Sequence, residues 1–122
     1  MGARGESVIH VKGHEVNLLF TNRALLSAEK QLGKGILGIL DGFMTNTSGY
    51  TELVALLRAG MEAARIDERS SGKPVSNNDA IDIIDEVGFA AALTPVMEAV
   101  AIVISYSPDQ EGEIAEDSTD PN

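Results

Sequence analysis

The chain of 122 residues contains no cysteine and no tryptophan, and aromatic residues make up only 4% of it. Without cysteine the chain can form neither a disulfide nor a thiolate metal site, and it offers no cysteine nucleophile. With so few aromatic rings, a stacking platform for nucleic-acid bases or sugars is not expected. The absence of disulfides is compatible with a reducing cytoplasm, where we expect the protein to act.

Positive charge is also scarce, since nine Lys and Arg residues stand against 19 Asp and Glu residues, giving a net charge of −10. A nucleic-acid-binding protein needs a basic surface, so direct binding to DNA or RNA is not expected. Residues 108–122 carry six acidic residues and no basic one. This composition predicts a disordered, solvated acidic tail.

A long uncharged span is missing as well. The most apolar run, Phe89 to Ile104, is shorter than the roughly 20 residues that a bilayer requires, and it contains Pro95 and Glu98. No membrane association is therefore expected. A helix this apolar has to bury its surface on all sides, in a core or in another protein. This run indicates binding to a partner rather than catalysis.

The remaining pattern predicts a mainly α-helical domain over residues 8–107, preceded by a flexible N-terminus at residues 1–7 that carries no secretion signal. Residues 8–11 and 14–20 alternate as two strands joined at Lys12-Gly13, which would place Ile9 opposite Val16. A compact bundle of about five helices follows. Their approximate ranges are 23–32, 36–43, 50–64, 77–87 and a last helix that begins at Phe89 or restarts at Thr94-Pro95.

No group of residues predicts an enzyme, a metal site or a cofactor. His10 and His14 flank the hairpin turn on opposite faces and have no evident third ligand. The acidic residues of segment 79–86 lack the glycine and the ligand spacing of a calcium loop, so a solvated helix face is the simpler interpretation. Gly33-Lys34-Gly35 lacks the remaining positions of a phosphate-binding loop.

Four segments that follow the hairpin are distinctive. They are TNRALLSAEKQLG at 21–33, YTELVALLRAGM at 50–61, SNNDAI at 76–81 and IDEVG at 84–88. In sequence and in order of elements the chain resembles the small tail assembly chaperones of long-tailed bacteriophages, including the tail tube chaperones of gene-transfer agents. The resemblance spans about residues 8–106, and the acidic tail has no counterpart in it.

The resemblance implies a role without catalysis in the cytoplasm of the host cell. Chaperones of this family coat the long helical tape-measure protein, keep it soluble and bring tail tube subunits to polymerise around it. They are absent from the mature virion, and many are made in a short form and a frameshift-extended form. The family contributes no catalytic residues.

An apolar helical surface would suit such a partner, because an amphipathic helix lays its apolar face against a matching one. The candidate contact residues, which are equally the best core candidates, are Leu53, Leu57, Met61, Val96, Met97, Val100 and Ile104. Small residues along helix 50–64 leave open a close contact within the monomer or with a second copy of the chain. The alternative functions are a structural tail or neck protein of the virion and an acidic inhibitor that mimics DNA and binds a basic host protein.

Overall fold

A computed structural model describes residues 3–108 and confirms a mainly α-helical fold with one N-terminal hairpin. The elements are β1 Gly5–Val11, β2 His14–Phe20, α1 Asn22–Leu32, α2 Ile36–Thr45, α3 Tyr50–Asp67, α4 Asn77–Val87 and α5 Phe89–Ser105. The predicted disordered tail lies, apart from its first residue, outside the described residues.

The hairpin pairs in the expected register. Ile9 lies opposite Val16 and Val11 opposite His14, and Gly13 in the turn has a φ of 90° that favours glycine. Strand β1 begins at Gly5 rather than at residue 8, and Ala3 is also buried. The predicted flexible N-terminus is therefore wrong for residues 3–7, because this segment packs against α5.

Local signals define the first two helices. The Thr21 side chain accepts a hydrogen bond from the Ala24 backbone N–H at 3.1 Å, which caps α1, and Gly33 ends the helix in the left-handed conformation. The Glu29 carboxylate accepts from the Ile36 N–H at 2.7 Å, which ties the start of α2 to α1. Helix α2 ends at Thr45, and Asn46 caps it in the left-handed conformation although it is not a glycine.

Helix α3 forms the centre of the molecule. It begins where the Gly49 N–H donates to the Glu52 carboxylate at 2.7 Å, and it continues to Asp67, three residues beyond its predicted end. Gly60 faces the ring of Phe20, so closely that a Cβ at this position would have no room. The small residues of α3 thus serve packing inside the monomer, with Ala55, Ala59 and Ala64 buried.

Helix α4 has a reciprocal cap, in which the Ser76 hydroxyl accepts from the Asp79 N–H at 3.1 Å and the Asp79 carboxylate accepts from the Ser76 N–H at 2.9 Å. Helix α5 starts directly after Gly88 and runs unbroken through Pro95, so it does not restart there. The Ala91 carbonyl that Pro95 leaves without a helical donor belongs to an exposed residue, where water can reach it.

The core gathers one face of every helix against the inner face of the hairpin. Its largest fully buried side chains are Phe20, Ile9, Leu18, Ile39, Leu53, Leu56, Leu57, Val96 and Val100. Helix α5 contributes a single stripe to this core and leaves its other side exposed, so the core of the described residues covers only part of its apolar surface. Alanines, Thr94 and Glu98 occupy much of the exposed side, which explains how so apolar a helix can border water.

Candidate partner-binding surfaces

The seven residues proposed from the sequence as partner contacts fall into two groups. Four are fully buried in the core and are not accessible in the folded chain, which corrects their assignment as contacts; they are Leu53, Leu57, Val96 and Val100. Met61 and Met97 are half-buried, and Ile104 is 39% exposed. No described contact joins Met61, Met97 and Ile104 into one patch.

The most exposed large apolar side chain of the described residues is Met44 in α2, at 79%, and Leu37 follows at 65%. These two residues are seven positions apart and therefore lie on the same side of the helix. The opposite side of α2 supplies Ile39 to the core. Helix α2 thus presents an apolar side chain at each end of its outer face.

Aromatic rings extend this surface towards the adjoining helices. Tyr50, the first residue of α3, is 64% exposed and meets Phe89 edge-to-face at a centroid distance of 4.9 Å. Phe89 in turn lies 6.4 Å from Phe43, the residue before Met44. We call these three exposed residues on and beside α2, namely Leu37, Met44 and Tyr50, the α2 patch.

Sequence reasoning missed the α2 patch. The signal was available, because α2 carries large apolar residues at six of its ten positions, whereas a single buried face of such a helix needs three or four. The extra residues, Leu37 and Met44, lie off the buried stripe. The apolar run of α5 is the stronger signal in the sequence, because α5 is longer than α2.

An ion pair holds the elements beneath the α2 patch in place. The Lys34 ammonium lies 2.6 Å from the Glu52 carboxylate, which is almost completely buried. Glu52 also accepts from the Gly49 N–H, and this bond, followed by the one from Lys34, holds the pKa of the carboxyl below its ordinary value. Because Lys34 precedes α2 and Gly49 follows it, both ends of the helix are tied to one point on α3.

A groove of about 800 Å³ runs between α1 and α3 on another side of the molecule. Its floor is made of small and apolar residues, among them Ala24, Ala59 and Ala63. Three arginines line it, namely Arg4, Arg23 and Arg58. A third of the nine basic residues of an acidic chain are therefore gathered at one groove.

The three arginines differ in their partners. The Arg4 guanidinium pairs with Asp67 at 3.1 Å and with Glu6 at 2.9 Å, and its hydrogen bond holds the pKa of Asp67 below the ordinary value. Arg58 donates to the neutral side chains of Ser27 and Gln31 at 2.9 and 3.0 Å. Arg23 takes part in none of the ion pairs formed within residues 3–108. Two carboxylates, Glu62 and Asp67, line the same groove, and the charge of Arg58 contributes to the lowered pKa of Glu62. Arg23 is thus the arginine of the groove for which the described residues supply no carboxylate partner.

The remaining titratable side chains do not assemble a metal-binding cluster in the part of the chain that the structure describes. Across the hairpin, His10 lies 3.2 Å from Glu15, and both side chains are exposed. No group of three or more histidine and carboxylate side chains with metal-ligand geometry occurs among residues 3–108.

Within the same residues, no single helix is both long and apolar enough to cross a membrane. Helices α4 and α5 are long and apolar enough only when taken together, and the chain bends by 117° between them.

Comparison with protein-family models, with curated proteins and with solved structures finds no match to this chain.

Proposed function

We propose that this protein is a non-enzymatic tail assembly chaperone of a long-tailed bacteriophage or gene-transfer agent. It binds the helical tape-measure protein, keeps it soluble in the host cytoplasm and helps to recruit tail tube subunits. The observation that carries the proposal is the α2 patch, where three large apolar side chains are each more than 60% exposed.

Large apolar side chains exposed on and beside one helix favour a protein partner, because their contact with water is relieved when a second apolar surface covers them. Met44 suits a partner with a varied sequence, since its unbranched thioether side chain adapts to different neighbours. A tape-measure helix presents such variation along its length. The α2 patch is also small, so each contact is weak, as a coat that tube protein must later displace requires.

The anchoring of α2 supports the same role. Its N-terminal end is tied to α1 through Glu29, and the loop after its C-terminal end is tied to α3, where the Gly49 N–H donates to the Glu52 carboxylate at 2.7 Å. The patch is thus preorganised on a helix fixed at both ends, which reduces the entropy lost when a partner binds. Packing of a partner helix against α2 requires an interaxial distance of about 8–10 Å.

Co-expression with a tape-measure protein tests the proposal. The unmodified chain should keep the tape-measure protein soluble and co-purify with it. Met44→Glu should abolish co-purification, because it places a charge in the contact, whereas the stability of the chain should change little at so exposed a position. Circular dichroism of the variant verifies that it is folded.

The matched control is Ile81→Glu, which adds the same charge at an apolar residue of α4 that is 40% exposed. This variant should co-purify as the unmodified chain does. If the tape-measure protein is equally soluble with and without the chain and the two never co-purify, the proposed function is wrong. Finding the chain in purified particles would instead favour the structural virion protein.

A further inference from the structure

The C-terminal end of α5 lies close to the groove between α1 and α3. The Ser7 hydroxyl donates to the Pro95 carbonyl at 2.8 Å, and Gly5 faces the backbone of Ala99. Two residues of a strand and four residues of a helix both span roughly 6 Å. The N-terminal segment and α5 therefore stay side by side, and the next residues along them are Ala3 and Val103. Ala3 and Arg4 line one end of the groove. The chain therefore leaves α5 beside that end.

The arginines are distributed along the groove. At one end of the groove, Arg4 pairs with Asp67 of α3. At the other end, Arg58 of α3 donates to Ser27, and nine helical residues, or about 13 Å, separate Arg58 from Asp67. Because Phe20 pairs with Gly5 in the hairpin, α1 begins at the Arg4 end. Arg23, one turn before Ser27, then lies between the other two arginines. An incoming segment would meet Arg23 and Arg58 in the middle and at the far end of the groove, whereas Arg4 is already paired with Asp67.

The segment that follows the described residues has the complementary composition. Residues 109–122 contain six acidic residues and no basic one, and their only large apolar residue, Ile114, is followed by Ala115. Glu113 and Glu116 flank this apolar pair directly. We propose that residues 109–122 of the same chain dock in the groove, with Ile114 and Ala115 on its alanine floor and the flanking carboxylates at Arg23 and Arg58.

The distances allow this docking. Six residues separate Pro108 from Ile114 and span at most about 20 Å, which exceeds the 13 Å length of the groove estimated above. A tethered segment also binds at an effective concentration in the millimolar range, so weak ionic contacts are sufficient to fill the groove. An acidic segment of another protein would have to displace it. The groove is a different surface from the α2 patch, so docking of residues 109–122 does not rest on the proposed function.

A spin label tests the docking in the full chain, because the absence of native cysteine allows a single site to be labelled. Ser118→Cys carrying a nitroxide should broaden the backbone amide signals of Ala24, Ala59 and Ala63, which should lose most of their intensity. Amides of α4 should keep theirs. Raising the ionic strength to about 1 M, where the Debye length is about 3 Å, should restore much of the lost intensity.

Two labelled variants make the assignment specific. Arg23→Glu should restore the groove signals, whereas the matched charge reversal Lys73→Glu, in the exposed loop between α3 and α4, should leave them broadened. Groove amides that keep full intensity in the labelled chain would overturn the proposal. Broadening that appears when spin-labelled chains are mixed with isotope-labelled chains would also overturn it, since the segment would then dock on a second copy.

Discussion

Helices α2 and α3 are both rich in apolar residues, yet they have opposite relations to water. Eight residues of α3 are buried, because the hairpin, α1, α4 and α5 all pack around it. Only Ile39 and Gly42 are buried in α2, which packs mainly on α1. The difference shows that apolar composition measures how much surface could be covered, whereas position in the fold decides which part is covered. What α2 leaves exposed is what a partner can bind.

The largest effect that this comparison predicts is the loss of unfolding free energy when a core side chain is truncated. Phe20→Ala removes a fully buried ring that packs on α3, and it should lower the unfolding free energy by about 3–5 kcal/mol. Met44→Ala, the matched truncation on α2, should change it by less than about 0.5 kcal/mol. Urea denaturation followed by circular dichroism measures both. Similar losses for the two variants would contradict the distinction between the helices.

The next effect is a loss of stability in acid that originates on α3. The Glu62 carboxylate bonds Arg65 at 2.8 Å and accepts from the Val75 N–H, and these contacts, chiefly the one to Arg65, lower its pKa from 4.5 to about 2. The folded state thus binds this proton less readily than the unfolded state. The stabilisation is complete above about pH 4.5, is lost as the pH falls towards 2 and amounts to at most about 3 kcal/mol.

Glu62→Gln should therefore be less stable than the unmodified chain at neutral pH, and the difference should shrink as the pH falls from about 4.5 to 2. Denaturation series at several pH values measure this change. Lys34→Gln provides the comparison at the base of α2, where the pKa of Glu52 is lowered chiefly by the Gly49 N–H, which this variant keeps, and only then by Lys34. A difference between Glu62→Gln and the unmodified chain that stays constant over this pH range would show that the Arg65 contact contributes nothing to pH dependence.

The smallest effect concerns the same substitution at two helical glycines. Gly60→Ala gains helix propensity but drives a Cβ into the Phe20 ring, and it should lower stability by about 1–3 kcal/mol. Gly38→Ala in α2 places its Cβ where nothing lies within 4 Å, and it should raise stability by about 0.5–1 kcal/mol. Thermal unfolding measures the two shifts, which should have opposite signs. Shifts of the same sign would mean that the space around the two glycines is alike.

Much of the fold could be predicted because its signals are local. The Thr21 and Ser76 caps, Gly33 after α1 and the two-residue turn at Lys12-Gly13 each involve residues that are neighbours in sequence. The length of β1 could not be predicted in this way. Gly5 and Ser7 have little strand propensity of their own, and they become strand because α5, far away in sequence, packs against them.

The candidate surfaces were predicted less well than the fold. Periodicity identified Leu53, Leu57, Val96 and Val100 as members of apolar stripes, but an apolar stripe looks the same whether a neighbouring helix or a partner covers it. The arginine-lined groove was not foreseen at all. Arg4, Arg23 and Arg58 are far apart in sequence, and only the packing of α1 against α3 and the path of β1 bring them to one groove.

The sequence by itself determined the element types, their order and the strong acidity of residues 109–122, since these follow from local propensity, spacing and composition. Only the tertiary structure decided which apolar side chains stay exposed and which charges meet. Burial depends on what lies opposite a residue, and that neighbour is set by contacts between elements that are distant in the chain. For this reason Leu57 is core whereas Met44 is surface, although both are large apolar residues in helices.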